Sequence, residues 1–389
     1  MKPATTILAL LSLLLAGGAP ANAGGPRDGN AMDVSYYGEN DQVDLYQAGV
    51  LKAFADSSVA LFSDRAVVKN EASGNFDLKS VSLKDKLNLK PGQPFEGQPS
   101  GAYCSGVLVG PDLVLTAGHC FQPDERGGPC DRVKLVFGYA VTRAGETPSS
   151  FPARNVYTCK KVVAQKVQDE NHNFTCRNGK CDNAGLVGDG PDYALVKLDR
   201  PVAGRLPLAV SRQSPAVGTE VGVIGYPSGL PVKVQEKGAA VRELKARGYF
   251  VTNLDTFRGN SGSPVFDMRT LKIIGIISRG GADYAYESEE GTTNDPRRPY
   301  LYTPGSAVYQ PQDGGRGEDV TMISEIQGLI PSTQAERSLD AALKAKSGSN
   351  SRPIPVVPAI YVPGQDGGGR MQPAIYTVPD AGDPVPVRI

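Results

Sequence analysis

Three residues of this 389-residue chain are suited by type and setting to nucleophilic chemistry: a serine between two glycines, a histidine ending an apolar run and an aspartate opening another. The serine is Ser261, in Gly259-Asn260-Ser261-Gly262-Ser263-Pro264. Flanking glycines let the backbone bend where a side chain would clash, and they leave N–H groups uncovered. A serine on such a turn can attack a carbonyl carbon while nearby N–H groups face the oxyanion that develops. Alone, the hexapeptide also fits an ordinary loop, because the chain holds 46 glycines and 31 prolines.

A serine hydroxyl is a weak nucleophile until a base takes its proton. The chain offers two histidines, His119 and His172. His119 follows Leu113-Val114-Leu115-Thr116-Ala117-Gly118, an apolar strand ending in small residues. His172 sits in the polar stretch Glu170-Asn171-His172-Asn173 and reads as a solvated loop residue. A carboxylate must then hold the imidazole in one tautomer and stabilise its charged form. With 41 Asp and Glu residues, context has to select it. Asp192 directly precedes the apolar run Tyr193-Ala194-Leu195-Val196-Lys197-Leu198, whereas Asp199 follows that run beside Arg200-Pro201 and reads as a solvated strand end.

Together these segments resemble the trypsin/chymotrypsin-like serine endopeptidases. Thr116-Ala117-Gly118-His119-Cys120 is similar to the family's histidine motif, Asp192 to Leu198 to its aspartate motif, and Gly259 to Pro264 to its serine motif. The order His, Asp, Ser is also the family's, and unrelated hydrolases use other orders. Resemblance is strongest to the bacterial branch that includes glutamyl endopeptidases. Tyr37-Gly38-Glu39-Asn40-Asp41 with Val43-Asp44-Leu45-Tyr46 is similar to that branch's opening segment, Ser58 to Phe62 to its first strand, and Gly225 to Pro231 to the loop before the serine region. The similarity spans about residues 34 to 330 and does not reach the last sixty or so.

The resemblance implies that Ser261 is the nucleophile, His119 the base and then the acid, and Asp192 its orienter. The N–H groups of Gly259 and Ser261 would form the oxyanion hole, and the substrate would be a protein or peptide. Many vertebrate relatives carry an aspartate just before the serine, which pairs with a cleaved N-terminal amine. Asn260 stands at that position here and has no charge for such an ion pair.

Asp255 and Thr256 are implied to line the primary pocket, with Ser278-Arg279-Gly280 as the edge strand that pairs with substrate backbone. Asp255 at a pocket base would favour Lys or Arg by charge pairing. Thr256 matches a polar residue of the glutamyl endopeptidases. Ile277 occupies the place where those enzymes carry a histidine. Arg258 and Arg279 would attract an acidic substrate residue unless they are simply solvated. On balance a basic preference is expected.

The elements that must position these residues read as all-β. Short apolar and β-branched runs recur, such as Val107 to Val109, Val133 to Phe137, Val221 to Ile224 and Ile273 to Ile277, separated by Gly, Pro, Asn and Asp. The resemblance implies two antiparallel six-stranded β-barrels with the cleft between them. The domain is expected over residues 34–331, behind a signal peptide at 1–23 and a short N-terminal or pro-segment at 24–33. Lys2, the apolar core Ile7 to Ala16 and Ala21-Asn22-Ala23 carry the signal-peptide reading. That core is too short to span a bilayer, which takes about 20 residues. A secreted or periplasmic location is therefore expected.

Export suits the six cysteines. Cys104 and Cys120 bracket a strand, a turn and a second strand, where the family commonly has a disulfide. Cys176 and Cys181 flank an Asn-Gly turn, which leaves Cys130 with Cys159; this is one of several pairings that six cysteines allow. The spacing does not suit a metal centre, and no cofactor is implied. Formal net charge is zero and basic runs are short, so a nucleic-acid interface lacks its electrostatic footprint.

Residues 332–389 change character. Ala335 to Lys346 suits one short helix, and beyond it lies a Pro/Gly-rich tail with Pro358-Ala359-Ile360-Tyr361 and Pro373-Ala374-Ile375-Tyr376 as a small repeat. The tail reads as a disordered extension, with docking on a partner or on the barrels as the sharper alternative. A rival for the whole chain is a silent binding protein on the peptidase scaffold. All three triad positions are filled, which favours catalysis.

Overall fold

The computed structural model describes residues 36–122, 128–169, 172–177, 180–183, 188–286, 304–347, 360–362 and 370–372. The expected signal peptide and pro-segment lie outside the described residues. Thirteen strands frame the candidate site: β1 (Ser58–Ser63), β2 (Cys104–Gly110), β3 (Leu113–Thr116), β4 (Val133–Phe137), β5 (Val156–Gln168), β6 (Tyr193–Leu198), β7 (Val221–Gly225), β8 (Lys233–Gln235), β9 (Val241–Lys245), β10 (Tyr249–Thr252), β11 (Pro264–Asp267), β12 (Lys272–Arg279) and β13 (Glu318–Met322).

The first six strands pair antiparallel in the order β4-β1-β2-β3-β6-β5, and β4 pairs with β5 to close a six-stranded barrel. The hairpin Asn173–Arg177 with Lys180–Asn183 extends the sheet from β5. The second sheet runs β9-β10-β13-β12-β11-β7, continuing through β8 to Val43–Asp44. It is drawn round on itself where the start of β7 meets the start of β9. A single bridge joins Glu220 to Ala240, with backbone bonds from Gly218 N to Val241 O (2.8 Å), Val221 N to Ala239 O (3.0 Å) and Val241 N to Thr219 O (2.9 Å). The two expected barrels thus correspond to one fully paired cylinder and one sheet closed at a single corner.

Three apolar cores follow from side-chain alternation. On β1, Val59 and Leu61 point into the first barrel with Leu108, Val114, Leu135 and Val196. Ala60 and Phe62, on the opposite face, join Leu195, Ile224, Phe266 and Ile276 in a core shared by both sheets. Phe250, Val265, Ile274 and Val320 fill the second. Strands buried on both faces have no polar face to show. That explains why they read as continuous apolar runs in the sequence.

The compact part of the chain continues past residue 331. The helix Gln334–Ser347 buries Ala335 and Leu339 against Ala209. Glu336 accepts a forked pair of hydrogen bonds from Arg212, at 2.7 and 2.9 Å, and Asp340 pairs with Lys272. The short helix expected over Ala335 to Lys346 thus packs on the rest of the chain through an apolar face that is short but well matched. Farther on, Ile360–Val362 and Arg370–Gln372 pair antiparallel with each other. The second copy of the tail repeat lies outside the described residues, and nothing in the described tail supports docking on a partner.

Candidate active site

His119 lies in the turn that follows β3, and Asp192 immediately precedes β6, the strand paired with β3. Register brings them together. The ring Nδ1 of His119 is 2.6 Å from Oδ2 of Asp192, and the backbone N–H of His119 donates to Oδ1 at 3.0 Å. A Cβ at Gly118 would fall 2.8 Å from both Asp192 Oδ1 and Tyr193 O, so only glycine permits this approach. Gln165 Nε2 donates to Gly118 O at 2.8 Å, and Thr321 Oγ1 accepts from Asp192 N at 3.0 Å. The His119 side chain keeps 34% of its area exposed and Asp192 only 4%, so the ring presents an open edge while its partner is sealed behind it. Burial pushes the imidazole pKa down, but the charge and hydrogen bond of Asp192 outweigh it and hold it above the ordinary histidine value.

Ser261 is carried on the loop between β10 and β11 and is pinned against the first barrel. Ser105 N donates to Ser261 O at 2.8 Å, and Sγ of Cys120, the neighbour of His119, lies 3.8 Å from the same oxygen. Ser105 Oγ donates to Gly259 O at 2.6 Å and accepts from Tyr226 N at 3.0 Å. Gly259 has φ of +105°, a region L side chains avoid. Around it the N–H groups of Asn260, Gly262 and Ser263 are committed to Phe257 O, Ile277 O and Asn260 O at 2.7–2.8 Å. Among the described residues, the N–H groups of Gly259 and Ser261 have no acceptor. Two uncommitted donors flanking a serine can stabilise an oxyanion.

Asn260 is buried; its Oδ1 accepts from Ser263 Oγ at 3.0 Å, and its Nδ2 has no partner.

The expected pocket residues divide. Asp255 is fully buried, with Oδ1 and Oδ2 each accepting a backbone N–H, from Tyr37 and Asp41, at 2.9 Å. Its expected role as a free charge for a basic substrate is corrected accordingly: the carboxylate anchors the opening segment of the domain, and burial lifts its pKa to about 7. Ile277 points into the second barrel's core and offers only its backbone, with O accepting from Gly262 N at 2.7 Å. Arg279 is not free for an acidic substrate residue, because its guanidinium bonds Asp319 (3.1 Å), Gln168 O (3.2 Å) and Gly190 O (2.9 Å). Ser278 is buried and donates to Asp319 O at 3.0 Å, Gly280 is exposed, and Thr256 donates to Glu318. Arg258 is exposed.

Glu318, Ser105, Gln165 and Thr321 were not singled out from the sequence. Ser105 was open to discovery, since it lies beside Cys104 in a strand that otherwise reads apolar. The other three gave no local signal.

His172 is exposed and pairs with Asp169 at 3.1 Å. Disulfides join Cys104 to Cys120 and Cys130 to Cys159. Cys176 is also in a disulfide, and the hairpin register sets the backbone of Cys181 opposite it; the Cys181 side chain lies outside the described residues. Among the described residues, the His/Cys group compact enough for a metal is Cys104, His119 and Cys120, and its two sulfurs are bonded to each other. No helix among the described residues is long and apolar enough to cross a membrane.

The trypsin-like peptidase domain family matches residues 104–276, a span that contains His119, Asp192 and Ser261. A glutamyl endopeptidase of Bacillus licheniformis is 25% identical over 245 residues, covering 60% of this chain and 68% of that protein. The alpha-fibrinogenase albofibrase of Trimeresurus albolabris is 26% identical over 210 residues, covering 47% of this chain and 69% of the relative. A solved structure of a Glu endopeptidase in complex with MPD covers 79% of this chain and 99% of its own, at 15% identity and a TM-score of 0.37. Residues 104–276 thus match a trypsin-like peptidase domain, and the comparisons support a serine-type endopeptidase.

Proposed function

We propose that this chain is an exported endopeptidase that cleaves peptide bonds through an acyl-enzyme on Ser261, with His119 as proton carrier and Asp192 as its orienter. The observation that carries the reading is the double hold of Asp192 on His119, beside a serine loop whose Gly259 and Ser261 N–H groups are uncommitted. His119 Nε2 takes the Ser261 proton as Oγ attacks the scissile carbonyl carbon. The resulting oxyanion sits on the N–H groups of Gly259 and Ser261. Imidazolium then protonates the leaving amine, and a water activated by the same ring releases the acyl half. Export is supported by the signal-like residues 1–23 and by the disulfides, which persist in oxidising compartments.

The test is covalent labelling with a fluorophosphonate, followed by peptide mapping. The expected result is modification of Ser261, with loss of labelling in Ser261→Ala and a turnover lower by about six orders of magnitude. Folded protein that refuses the label would favour a silent binding protein on this scaffold.

A further inference from the structure

We propose that Asp283 and Tyr284 are positioning residues for the reaction. From one short segment they hold the Arg258–Gly259 peptide in place, and so aim the Gly259 N–H at the oxyanion. The inference rests on the serine-peptidase reading above and goes beyond it by naming groups that act on the reacting centre through other residues.

A trans peptide is planar, and its N–H points opposite to its C=O. Whatever holds Arg258 O therefore sets the direction of the Gly259 N–H, one of the two uncommitted donors. Arg258 O accepts from Ser228 N at 2.6 Å, and Arg258 N donates to Asp283 Oδ2 at 2.8 Å. Arg258 is thus tied at both backbone polar groups, while the residue itself is exposed. Gly259 offers little resistance of its own. Its φ of +105° lies where glycine moves freely, so the peptide keeps its orientation only if its neighbours hold it. Turned over, the same peptide would present Arg258 O to the oxyanion, a lone pair in place of a donor.

Ser228 can hold that carbonyl only while its own backbone stays fixed. It lies in the turn Pro227–Gly229 after β7, with φ of +52°, a left-handed conformation that serine seldom adopts. Such a conformation persists where the surroundings over-determine it. Gly229 N donates to Tyr226 O at 3.0 Å, Leu230 N donates to Pro227 O at 2.9 Å, and Ser100 Oγ donates to Ser228 O. The Ser228 side chain supplies a further hold, its Oγ lying 3.1 Å from Tyr284 OH. Asp283 therefore takes the N–H of Arg258, and the next residue secures the serine that takes its C=O. The segment bearing them is itself anchored. Tyr284–Tyr286 pairs antiparallel with Gly305–Ala307, and Gly305 bonds Asn88 O and Lys90 N, each at 2.9 Å. The Tyr284 ring also packs on Phe257, with centroids 5.4 Å apart.

The experiment uses the processed full-length chain, a peptide amide that wild type turns over, and two inhibitors built on the same peptide. One ends in a trifluoromethyl ketone. Ser261 Oγ adds to its carbonyl carbon, the serine proton passes to His119, and the former carbonyl oxygen becomes an oxyanion. The other inhibitor carries the corresponding alcohol, which binds without forming one. In Asp283→Ala, kcat should fall about 10- to 100-fold with KM little changed, the scale of a misaimed donor. The inhibition constant of the ketone should rise by the same factor, and that of the alcohol should hardly move, because only the ketone resembles the transition state. Asp283→Asn keeps an acceptor oxygen and should recover most of kcat. Tyr284→Phe and Ser228→Ala delete the same contact. Each should lose about three- to tenfold in kcat, and the double variant no more than either alone. That cycle decides the question if Asp283→Ala does not fold. Wild-type kcat in Asp283→Ala, equal weakening of both inhibitors, or additive losses in the cycle would overturn the proposal while leaving the peptidase intact. Wild type that neither cleaves peptides nor labels at Ser261 would overturn the peptidase reading beneath it.

Discussion

Asp192 holds His119 at two points, the ring Nδ1 at 2.6 Å from Oδ2 and the backbone N–H at 3.0 Å from Oδ1. The first contact fixes the tautomer, and the second fixes the backbone that carries the ring. A carboxylate can accept both bonds, whereas a carboxamide has a single oxygen. Asp192→Asn is therefore expected to fold and to lose about four orders of magnitude in kcat, because the imidazole is left in the wrong tautomer. Turnover normalised to fluorophosphonate-reactive sites tests this. A loss under tenfold would mean that Asp192 does not orient the base.

On the proposed mechanism the same pair should set the acid limb of the pH profile. His119 acts as a base only when neutral, and Asp192 holds its pKa above the ordinary value of about 6.5. In wild type, kcat/KM should rise with pH through an apparent pKa above that value. Removing the charge in Asp192→Asn leaves burial as the dominant influence, which disfavours the imidazolium, so the residual activity should titrate at lower pH. An unchanged limb in the variant would assign the titration to another group.

What the sequence made legible was what local pattern records. The histidine, aspartate and serine each sit in a short motif, and the strands that hold them are unbroken apolar runs. The opening segment Tyr37 to Asp41 was recognisable, but not its destination, since its bonds to Asp255 join residues more than two hundred positions apart. Asp255 and Glu318 illustrate the limit. Both are buried acidic residues, and nothing in their immediate neighbours says which groups hold them. Only the pairing of β12 with β13 sets Glu318 behind Gly280, and only the N–H groups of Tyr37 and Asp41 withdraw Asp255. The helix Gln334–Ser347 was legible as a helix, while its docking depended on Arg212 and Lys272 from distant strands and loops.

Arg279 is predicted to act as a positioning residue. It ties Asp319 of the second sheet to the carbonyls of Gln168 and Gly190, which flank the segment leading to Asp192. Arg279→Ala should lower kcat by about 10- to 100-fold through misplacement of that segment. Its positive charge also depresses the His119 pKa, so its loss should move the acid limb upward. Arg279→Lys keeps the charge but not the forked geometry, and should restore the limb while leaving kcat low. Joint recovery of both would reduce Arg279 to a simple charge effect.

The helix Gln334–Ser347 should contribute to the stability of the barrels. Its Leu339 is 5% exposed, and burying such a side chain is worth about 1.5–3 kcal/mol. The fork between Arg212 and Glu336 adds less, because Arg212 is partly solvated. A chain ended after Pro331 should melt roughly 5 °C lower than the full chain. Ending it after Ser347 should cost little. Equal melting temperatures for all three would show that the helix is only resting on the surface.

Two buried carboxyl groups give the stability a definite pH dependence. In the folded protein Asp255 titrates at about 7 and Glu318 at about 8, each raised by burial. In the unfolded chain both lose their protons near the ordinary carboxylate value of about 4. Between those limits the folded state binds more protons than the unfolded state, so the contribution of these groups to stability falls as pH rises. It is complete below about pH 4 and is lost as the pH passes through 7 and 8. Other groups add their own slopes, so the test is a difference. Glu318→Gln cannot ionise at this position, and its melting temperature relative to wild type should rise between pH 5 and about pH 8 and level off toward pH 9. A difference that stays flat across that range would mean that Glu318 is ionised in the folded enzyme throughout, which would require a cation beside it that the described residues do not supply.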